Sequence, residues 1–333
     1  MLRKLRALGQ SSMLRYIIRR LLYMIPVAIG ISIIAFMTMY AAGDPINLIK
    51  AGKPNIDQQT LDGLRAYYGL DKPIPIQYFN WLVNILHLNF GKSLYGGIPV
   101  NQIIGPKIWP TIELQIISLL IAFAISIPIA VRSARKPYSK EDLTVTSLSL
   151  FGVSMPTFWL GLILIIIFSF TLGWLPSAGS QGAAGFIWWG NPILDWIAHL
   201  ILPVTVLVYV SLAQNIRLIR ANMLEVLRSD YILAARASGI SERKVVYGYA
   251  LRNAITPAIT FLGIALGVMI AGAPMCEYVF SWPGLGRQYV SSTLELDFPV
   301  IMAITMIITV MTLIANLIMD VLYVYIDPRV RIR

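Results

Sequence analysis

Long apolar stretches with almost no charged residue occur six times in this sequence of 333 residues. A helix needs about 20 apolar residues to cross the hydrocarbon core of a bilayer, and each stretch is close to that length or longer. We therefore predict an all-α polytopic membrane protein with six transmembrane helices. The third helix is predicted to be kinked or tilted, because it is longer than one span needs and contains Pro156 between Gly152 and Gly161. The predicted spans are residues 21–42, 111–131, 143–172, 196–216, 253–276 and 298–322.

Composition excludes the soluble alternatives and most metal chemistry. Hydrophobic residues make up 57% of the chain and charged residues 13%, whereas soluble domains carry about 25% charged residues. The one cysteine, Cys276, excludes an internal disulfide framework and a multi-cysteine zinc site. The two histidines, His87 and His199, cannot form an H-E-x-x-H zinc site. We therefore expect this chain to bind no metal and no cofactor.

The distribution of lysine and arginine predicts the orientation of the spans. Of the 27 basic residues, 20 lie in the N-terminal arm (residues 1–20), after the second span, in the loop of residues 217–252, and in the tail (residues 323–333). Positively charged loops stay in the cytoplasm, so both termini are predicted to be cytoplasmic. The net charge of +11 then reflects topology in a lipid bilayer rather than binding to nucleic acid. The first span is interpreted as a retained helix, because its apolar run is too long for a signal peptide.

Residues 43–110 are predicted to form an extracytoplasmic segment, in which the apolar residues around Trp81 favour a helix lying on the membrane surface. Two sequences that resemble catalytic motifs are incomplete. Gly91-Lys92-Ser93 lacks the upstream glycine of a phosphate-binding loop, since position 86 is leucine. The run that starts at Gly152 has Pro156 where a hydrolase elbow needs its second glycine. We therefore predict a chain without catalytic activity.

The cytoplasmic loop of residues 217–252 contains the most informative local pattern. Ser229 and Asp230 are good N-caps, Gly239 suits a left-handed C-terminal position, and Ser241 can cap a second helix. The short helix between them has a face of mostly small residues, which allows another surface to approach closely. That face either packs on the chain's own bundle or docks a partner protein. It consists of Tyr231, Ala234, Ala235 and Ser238.

Residues 230–239 resemble the coupling loop of ATP-binding-cassette (ABC) importer permeases. Leu233-Ala234-Ala235, three residues and then Gly239 match the core of that pattern, although Leu233 replaces its acidic residue. The gap from Gly239 to the final proline of the motif, Pro257, is also longer than in the broad consensus. These two departures are typical of the dipeptide/oligopeptide/nickel branch of these binding-protein-dependent inner-membrane components. Further resemblances to that branch cover most of the chain. They are Met13-Leu14-Arg15-Tyr16, Tyr68-Gly69-Leu70-Asp71-Lys72-Pro73, Ser281-Trp282-Pro283-Gly284-Leu285-Gly286 and Asp327-Pro328-Arg329.

The resemblance implies a type I permease bundle over residues 111–322, in the cell inner membrane. It implies a sister permease chain in a heterodimer, two cytoplasmic ATPase subunits that hold ATP and magnesium, and an extracytoplasmic substrate-binding protein. The implied substrate is a di- or oligopeptide, with nickel chelates or another small solute as the alternative. A stand-alone channel or secondary transporter is the rival class, but it would leave the large inner loop without a role. The residues implied to contact the ATPase are Ser229, Asp230, Tyr231, Ala234, Ala235, Ser238 and Gly239.

Further candidates concern the translocation path and the outer face. Glu113, at the mouth of the second span, and the small residues Gly263 and Gly267 of the fifth span are candidates for facing substrate. The alternatives are a helix-end group paired to a neighbour for Glu113 and ordinary helix packing for the glycines. Glu295 and Asp297 are candidate contacts for the binding protein.

Overall fold

The computed structural model describes residues 2–43, 58–182, 190–259 and 272–326. These residues are mainly helical, and within them the one β-type pairing is an isolated bridge between Lys92 and Pro99. π-Helical turns extend α6 over Ile165–Thr171 and join α9 to α10 over Val245–Ala250. The α-helices are α1 (Leu2–Ala42), α2 (Gln58–Tyr68), α3 (Ile74–Leu86), α4 (Val100–Arg135), α5 (Lys140–Ser154), α6 (Thr157–Leu164), α7 (Pro192–Leu227), α8 (Asp230–Ala237), α9 (Glu242–Lys244), α10 (Leu251–Ala254), α11 (Pro274–Val279), α12 (Leu285–Glu295) and α13 (Phe298–Ile326).

Four helices in the described part of the chain are long and apolar enough to cross a membrane. They cover Arg15–Ala41, Val100–Arg135, Pro192–Leu227 and Phe298–Val321. These ranges contain most of the first, second, fourth and sixth predicted spans. The membrane-protein class that the apolar stretches predict therefore has a structural counterpart in α1, α4, α7 and α13.

The third predicted span is broken rather than continuous. Helix α5 ends at Ser154, and α6 begins at Thr157 after Pro156. Proline lacks the N–H that a helix needs and forces the preceding residue out of the helical region. Met155 accordingly has an extended backbone, with φ −88° and ψ 125°. Of the predicted kink or tilt, the kink is confirmed in a stronger form, since the helix stops and restarts at Pro156.

Half of the fifth predicted span, residues 260–271, lies outside the described residues. Its start is described through α10 and on to Ile259, and its end resumes at Gly272 before α11. Gly263 and Gly267 fall in the segment between these points, so their predicted place on the translocation path lies outside the described residues.

The chain divides into two compact units, Met1–Trp109 with Leu285–Arg333, and Pro110–Gly284. In the first unit α1 packs against α13, and Arg20 forms an ion pair with Asp320 at 3.1 Å. Helix α3 packs on α1, where Tyr78 and Trp81 surround Phe36. The helix predicted around Trp81 is therefore present, and these two aromatic side chains contact α1. Phe79 of the same helix remains exposed.

The second unit contains two buried apolar clusters. One of them surrounds Leu114, Val206 and Trp282. The other surrounds Ile219, Met223 and Val246 and is formed by α4, α7 and the segment after α8. This second cluster also holds the short helix that the sequence analysis singled out.

Candidate functional site

Helix α8 is fixed to the second unit by one large buried side chain. Ile232 has no exposed surface and lies in the cluster of Ile219 and Met223. Fully burying an isoleucine contributes about 1.5–3 kcal/mol. A helix of eight residues is too short to be stable alone, so Ile232 holds α8 in one position.

The opposite face of α8 is exposed. Tyr231, Ala234 and Ser238 are exposed, whereas Ala235 is half-buried and packs against the apolar cluster. At 100° per residue, Ala235 lies only about 60° from Ile232, which explains its burial. The face available to a partner is therefore narrower than the predicted set of four. Exposed Leu233 flanks it on the other side.

The end of α8 is a Schellman motif centred on Gly239. The N–H of Ile240 donates to the carbonyl of Ala235 at 3.3 Å, and the N–H of Gly239 donates to that of Arg236 at 3.0 Å. Gly239 has φ +76°, the left-handed conformation this motif requires. The left-handed glycine predicted at position 239 is confirmed.

The sequence predicts that two serines cap the helices on either side of this motif, and this prediction is wrong for their side-chain hydrogen bonds. Ser229 and Ser241 occupy the N-cap positions of α8 and α9, but neither side chain caps its helix. The Ser229 hydroxyl donates instead to the carbonyl of Val226 at 2.6 Å. Ser229 therefore ties the start of α8 back to the end of α7. Asp230 is the acidic residue in the first turn of α8, where it faces the positive end of the helix dipole.

An ion pair bridges the turn that contains Gly239. Arg236 donates two hydrogen bonds to Glu242, at 2.8 Å from Nη2 and 3.1 Å from Nε. These hydrogen bonds lower the pKa of Glu242, and the nearby charge of Arg135 at the end of α4 acts in the same direction. Both partners are substantially exposed, so the pair orients the turn more than it stabilises the protein.

A second, buried ion pair supports the same region. Arg220 of α7 donates to Asp142 of α5 from Nε at 2.6 Å and from Nη2 at 2.8 Å. The hydroxyl of Ser133 and the N–H of Tyr138 also donate to the Asp142 carboxylate. These contacts hold the pKa of Asp142 well below its usual range, with Arg220 as the main cause and burial opposing it. Helices α4, α5 and α7 are thereby joined through one carboxylate.

Replacing Asp142 with asparagine is expected to lower the free energy of unfolding by about 3 kcal/mol, because it leaves Arg220 without its counter-charge. A depressed pKa means that this stabilisation is present above the usual pKa of about 4 and is lost as pH falls below it. Thermal unfolding of the purified chain in detergent at pH 7 measures the effect. Glu141→Gln, at an exposed neighbouring position, is the control. Equal unfolding midpoints for both variants would contradict the assignment.

Glu277 is a buried carboxylate that the sequence analysis did not single out. It is fully buried in the second unit. Thr111 donates to its two oxygens at 3.1 and 3.2 Å. The carboxylate lies against two glycines, since a Cβ on Gly284 would be 2.2 Å from Oε2 and one on Gly272 would be 2.6 Å from Oε1. The signal was available in the sequence, because Glu277 is a lone acidic residue shortly before a Trp-Pro-Gly turn.

Glu113 is half-buried, and its carboxylate is hydrogen-bonded to Trp196. This contact is the pairing with a neighbour that the alternative interpretation expects. Its predicted role on the substrate path stays a prediction. Within the described residues, no group of three or more His, Cys, Asp or Glu side chains could hold a metal ion.

The two candidate contacts on the outer face differ in exposure. Glu295 is exposed at the end of α12. Asp297 is buried, accepts hydrogen bonds from the hydroxyl of Ser93 and the N–H of Leu94, and has its pKa raised by burial. Its carboxylate therefore ties two loops of the first unit together and does not project to a partner. Of the pair, only Glu295 presents a side chain that a binding protein could contact.

Comparison with known proteins places these features in a family. Residues 125–332 match the family described as "Binding-protein-dependent transport system inner membrane component", and residues 13–96 match the family of N-terminal parts of such components. The chain is 42% identical over 320 residues to the oligopeptide transport system permease protein AppB of Bacillus subtilis, covering 96% of this chain and 99% of the relative. It is 36% identical over 337 residues to the dipeptide transport system permease protein DppB of Escherichia coli, covering 96% and 99%. The resemblance inferred from the sequence motifs is confirmed, and the chain belongs to the family of binding-protein-dependent transport system inner-membrane components.

Proposed function

We propose that this chain is the transmembrane permease subunit of an ATP-driven importer of di- or oligopeptides. The substrate class follows the names of its full-length relatives, AppB and DppB. The chain contributes six spans with both termini in the cytoplasm of the cell inner membrane and pairs with a sister permease. Two ATPase subunits bind on the cytoplasmic side, and an external binding protein delivers the peptide. The chain itself provides half of the translocation path and the helix α8 that couples it to the ATPases, and ATP is hydrolysed on its partners.

The observation that carries this proposal is the construction of α8. Its small face is exposed at Ala234 and Ser238, while Ile232 and the Ser229 hydrogen bond fix the helix to the bundle. A helix that is fixed on one side and open on the other can transmit a push from a docked partner. ATP-driven closure of the ATPases then moves α8 with its unit as a rigid body and alternates the access of the path. The driving energy is the higher affinity of ATP for the closed state.

Replacing Ala234 with arginine is expected to abolish association with the ATPase subunits, because a long charged side chain prevents close approach of the partner to the small face. The chain is co-expressed with the ATPases and the sister permease of a peptide importer from the same genome, and copurified ATPase is quantified. Peptide uptake is measured in proteoliposomes that contain the binding protein.

Ala221→Arg is the matched control, because Ala221 is also an exposed alanine, on α7. It should retain both association and uptake. Full association of the Ala234→Arg variant would show that α8 is not the docking helix. If the importer takes up nickel chelates and not peptides, the proposed docking on α8 stands, but the proposed substrate class is wrong.

A further inference from the structure

An open cleft of about 670 Å³ lies beside α8. One wall is Tyr231, the second residue of α8, and the other is formed by residues 244–253, which we term the stem segment. The cleft is lined by Tyr231, Lys244, Gly248, Tyr249, Arg252 and Asn253. None of these residues has an assigned role in the family motif except Tyr231.

The shape of the cleft is set by a hydrogen bond and a glycine. Asn253 donates from Nδ2 to the hydroxyl of Tyr231 at 2.8 Å, which fixes the Tyr231 ring relative to the stem segment. Gly248 has no side chain to fill the space, and a Cβ there would meet only Cγ of Lys244, at 3.6 Å. The cleft is therefore open because position 248 is glycine.

The charge of the cleft is entirely positive. Lys244 and Arg252 both line it and are both exposed, and no acidic residue does. Within the described part of the chain, neither Lys244 nor Arg252 forms an ion pair. Nearby Arg236, in contrast, pairs with Glu242. Two cations around one cleft repel each other unless an anion lies between them. The cleft therefore favours an anionic group flanked by tyrosine rings.

We propose that this cleft receives an acidic side chain of the docked ATPase subunit. The proposal rests on the proposed function, because a partner that covers the small face of α8 also reaches Tyr231, which forms a wall of the cleft. A carboxylate held by Lys244 and Arg252 adds a charge-paired contact to a face of small residues that buries little area. Such a contact fixes the orientation of the ATPase on α8.

Two variants test the cleft by different means. Gly248→Leu fills it with an apolar side chain and leaves both charges in place. The double variant Lys244→Ala/Arg252→Ala removes the charges and leaves the space. Each is expected to weaken the affinity of the purified ATPase for the permease by about tenfold. The double variant should also lose the dependence of that affinity on salt, since ion pairs are screened by salt.

Arg243→Ala is the matched control, because Arg243 is an exposed neighbour of Lys244 that does not line the cleft. It should keep wild-type affinity. Equal weakening by Arg243→Ala would overturn the proposal in favour of general surface charge, as would full affinity of the Gly248→Leu variant. All variants are checked for a normal unfolding midpoint in detergent.

Two further measurements separate this inference from its rivals. If Ala234→Arg abolishes ATPase binding while the cleft variants do not change it, the proposed function stands and the cleft proposal fails. If neither affects binding, both fail. Uptake is also compared in vesicles of phosphatidylcholine with and without phosphatidylglycerol. A defect of the cleft variants that depends on phosphatidylglycerol, at unchanged ATPase affinity, would assign the cleft to a lipid headgroup and overturn the proposal.

Discussion

The Gly239→Val variant is expected to reach the membrane at normal levels but to lose peptide-stimulated ATP hydrolysis. Gly239 has φ +76°, and a Cβ at this position would meet nothing within 4 Å. The cost is therefore confined to the backbone, where an L-residue in the left-handed region costs about 1–2 kcal/mol and a β-branched one costs more. Leaving that region breaks the Schellman motif and changes the direction of α8. Insertion of the spans depends on hydrophobicity elsewhere and should not change.

Two other substitutions at the same position calibrate this result. Gly239→Asn should be mild, because asparagine adopts the left-handed conformation more readily than other residues, and Gly239→Ala should be intermediate. Stimulated ATP hydrolysis and copurified ATPase are measured in the same membranes. If valine, alanine and asparagine all retain wild-type stimulation, this turn does not set the direction of the coupling helix.

The coupling region could be predicted well because its signals are local. A glycine after two helical turns predicts a left-handed end within a few residues, and Gly239 adopts it. Side-chain capping was less predictable from the same signals. The hydroxyl of Ser229 has two acceptable partners, and the carbonyl of Val226 at 2.6 Å takes the bond that a capping prediction assigns to the helix. Sequence rules rank such choices but do not include the neighbouring helix end.

The apolar stretches predicted which segments are helical, but not how they are divided. Hydropathy is an average over a window, so it counts residues 143–172 as one span. The single stereochemical fact that Pro156 has no N–H divides this segment into α5 and α6. The helices that contain the second and fourth predicted spans are also longer than those spans. Helices α4 and α7 each have 36 residues and continue well beyond the charge-free stretches.

The buried polar contacts could not be predicted from the sequence. Asp142 and Arg220 are 78 residues apart, and Thr111 and Glu277 are 166 apart. Periodicity and capping rules relate residues only a few positions apart, so they say nothing of which distant groups meet. An acidic residue in an apolar protein does signal that a partner must exist, because an unpaired buried charge is costly. For Glu277 this cost indicates a buried site, but it does not identify Thr111 as the partner.

A methyl group added at Gly284 should destabilise the second unit severely. The backbone of Gly284 lies outside the left-handed region, so alanine can adopt its conformation. Its Cβ, however, would lie 2.2 Å from Oε2 of Glu277 and 2.4 Å from Oγ1 of Thr111. The carboxylate cannot retreat easily, because Gly272 closes the other side. Overpacking a buried site costs about 1–3 kcal/mol, and displacing a carboxylate from its hydrogen bond adds about 1–3 kcal/mol.

The experiment is a double-mutant cycle on thermal stability in detergent. Gly284→Ala, Glu277→Ala and the double variant are compared with Gly105→Ala, a control at which a Cβ meets nothing within 4 Å. Gly284→Ala alone should lower the unfolding midpoint strongly, and the control should not. Once Glu277 is alanine, the added methyl has no carboxylate to displace, and only its contact with the Thr111 hydroxyl remains. Gly284→Ala should therefore lower the unfolding midpoint much less in the Glu277→Ala background than it does alone. Simple additivity of the two effects would mean that Gly284 is required for a reason other than its contact with Glu277.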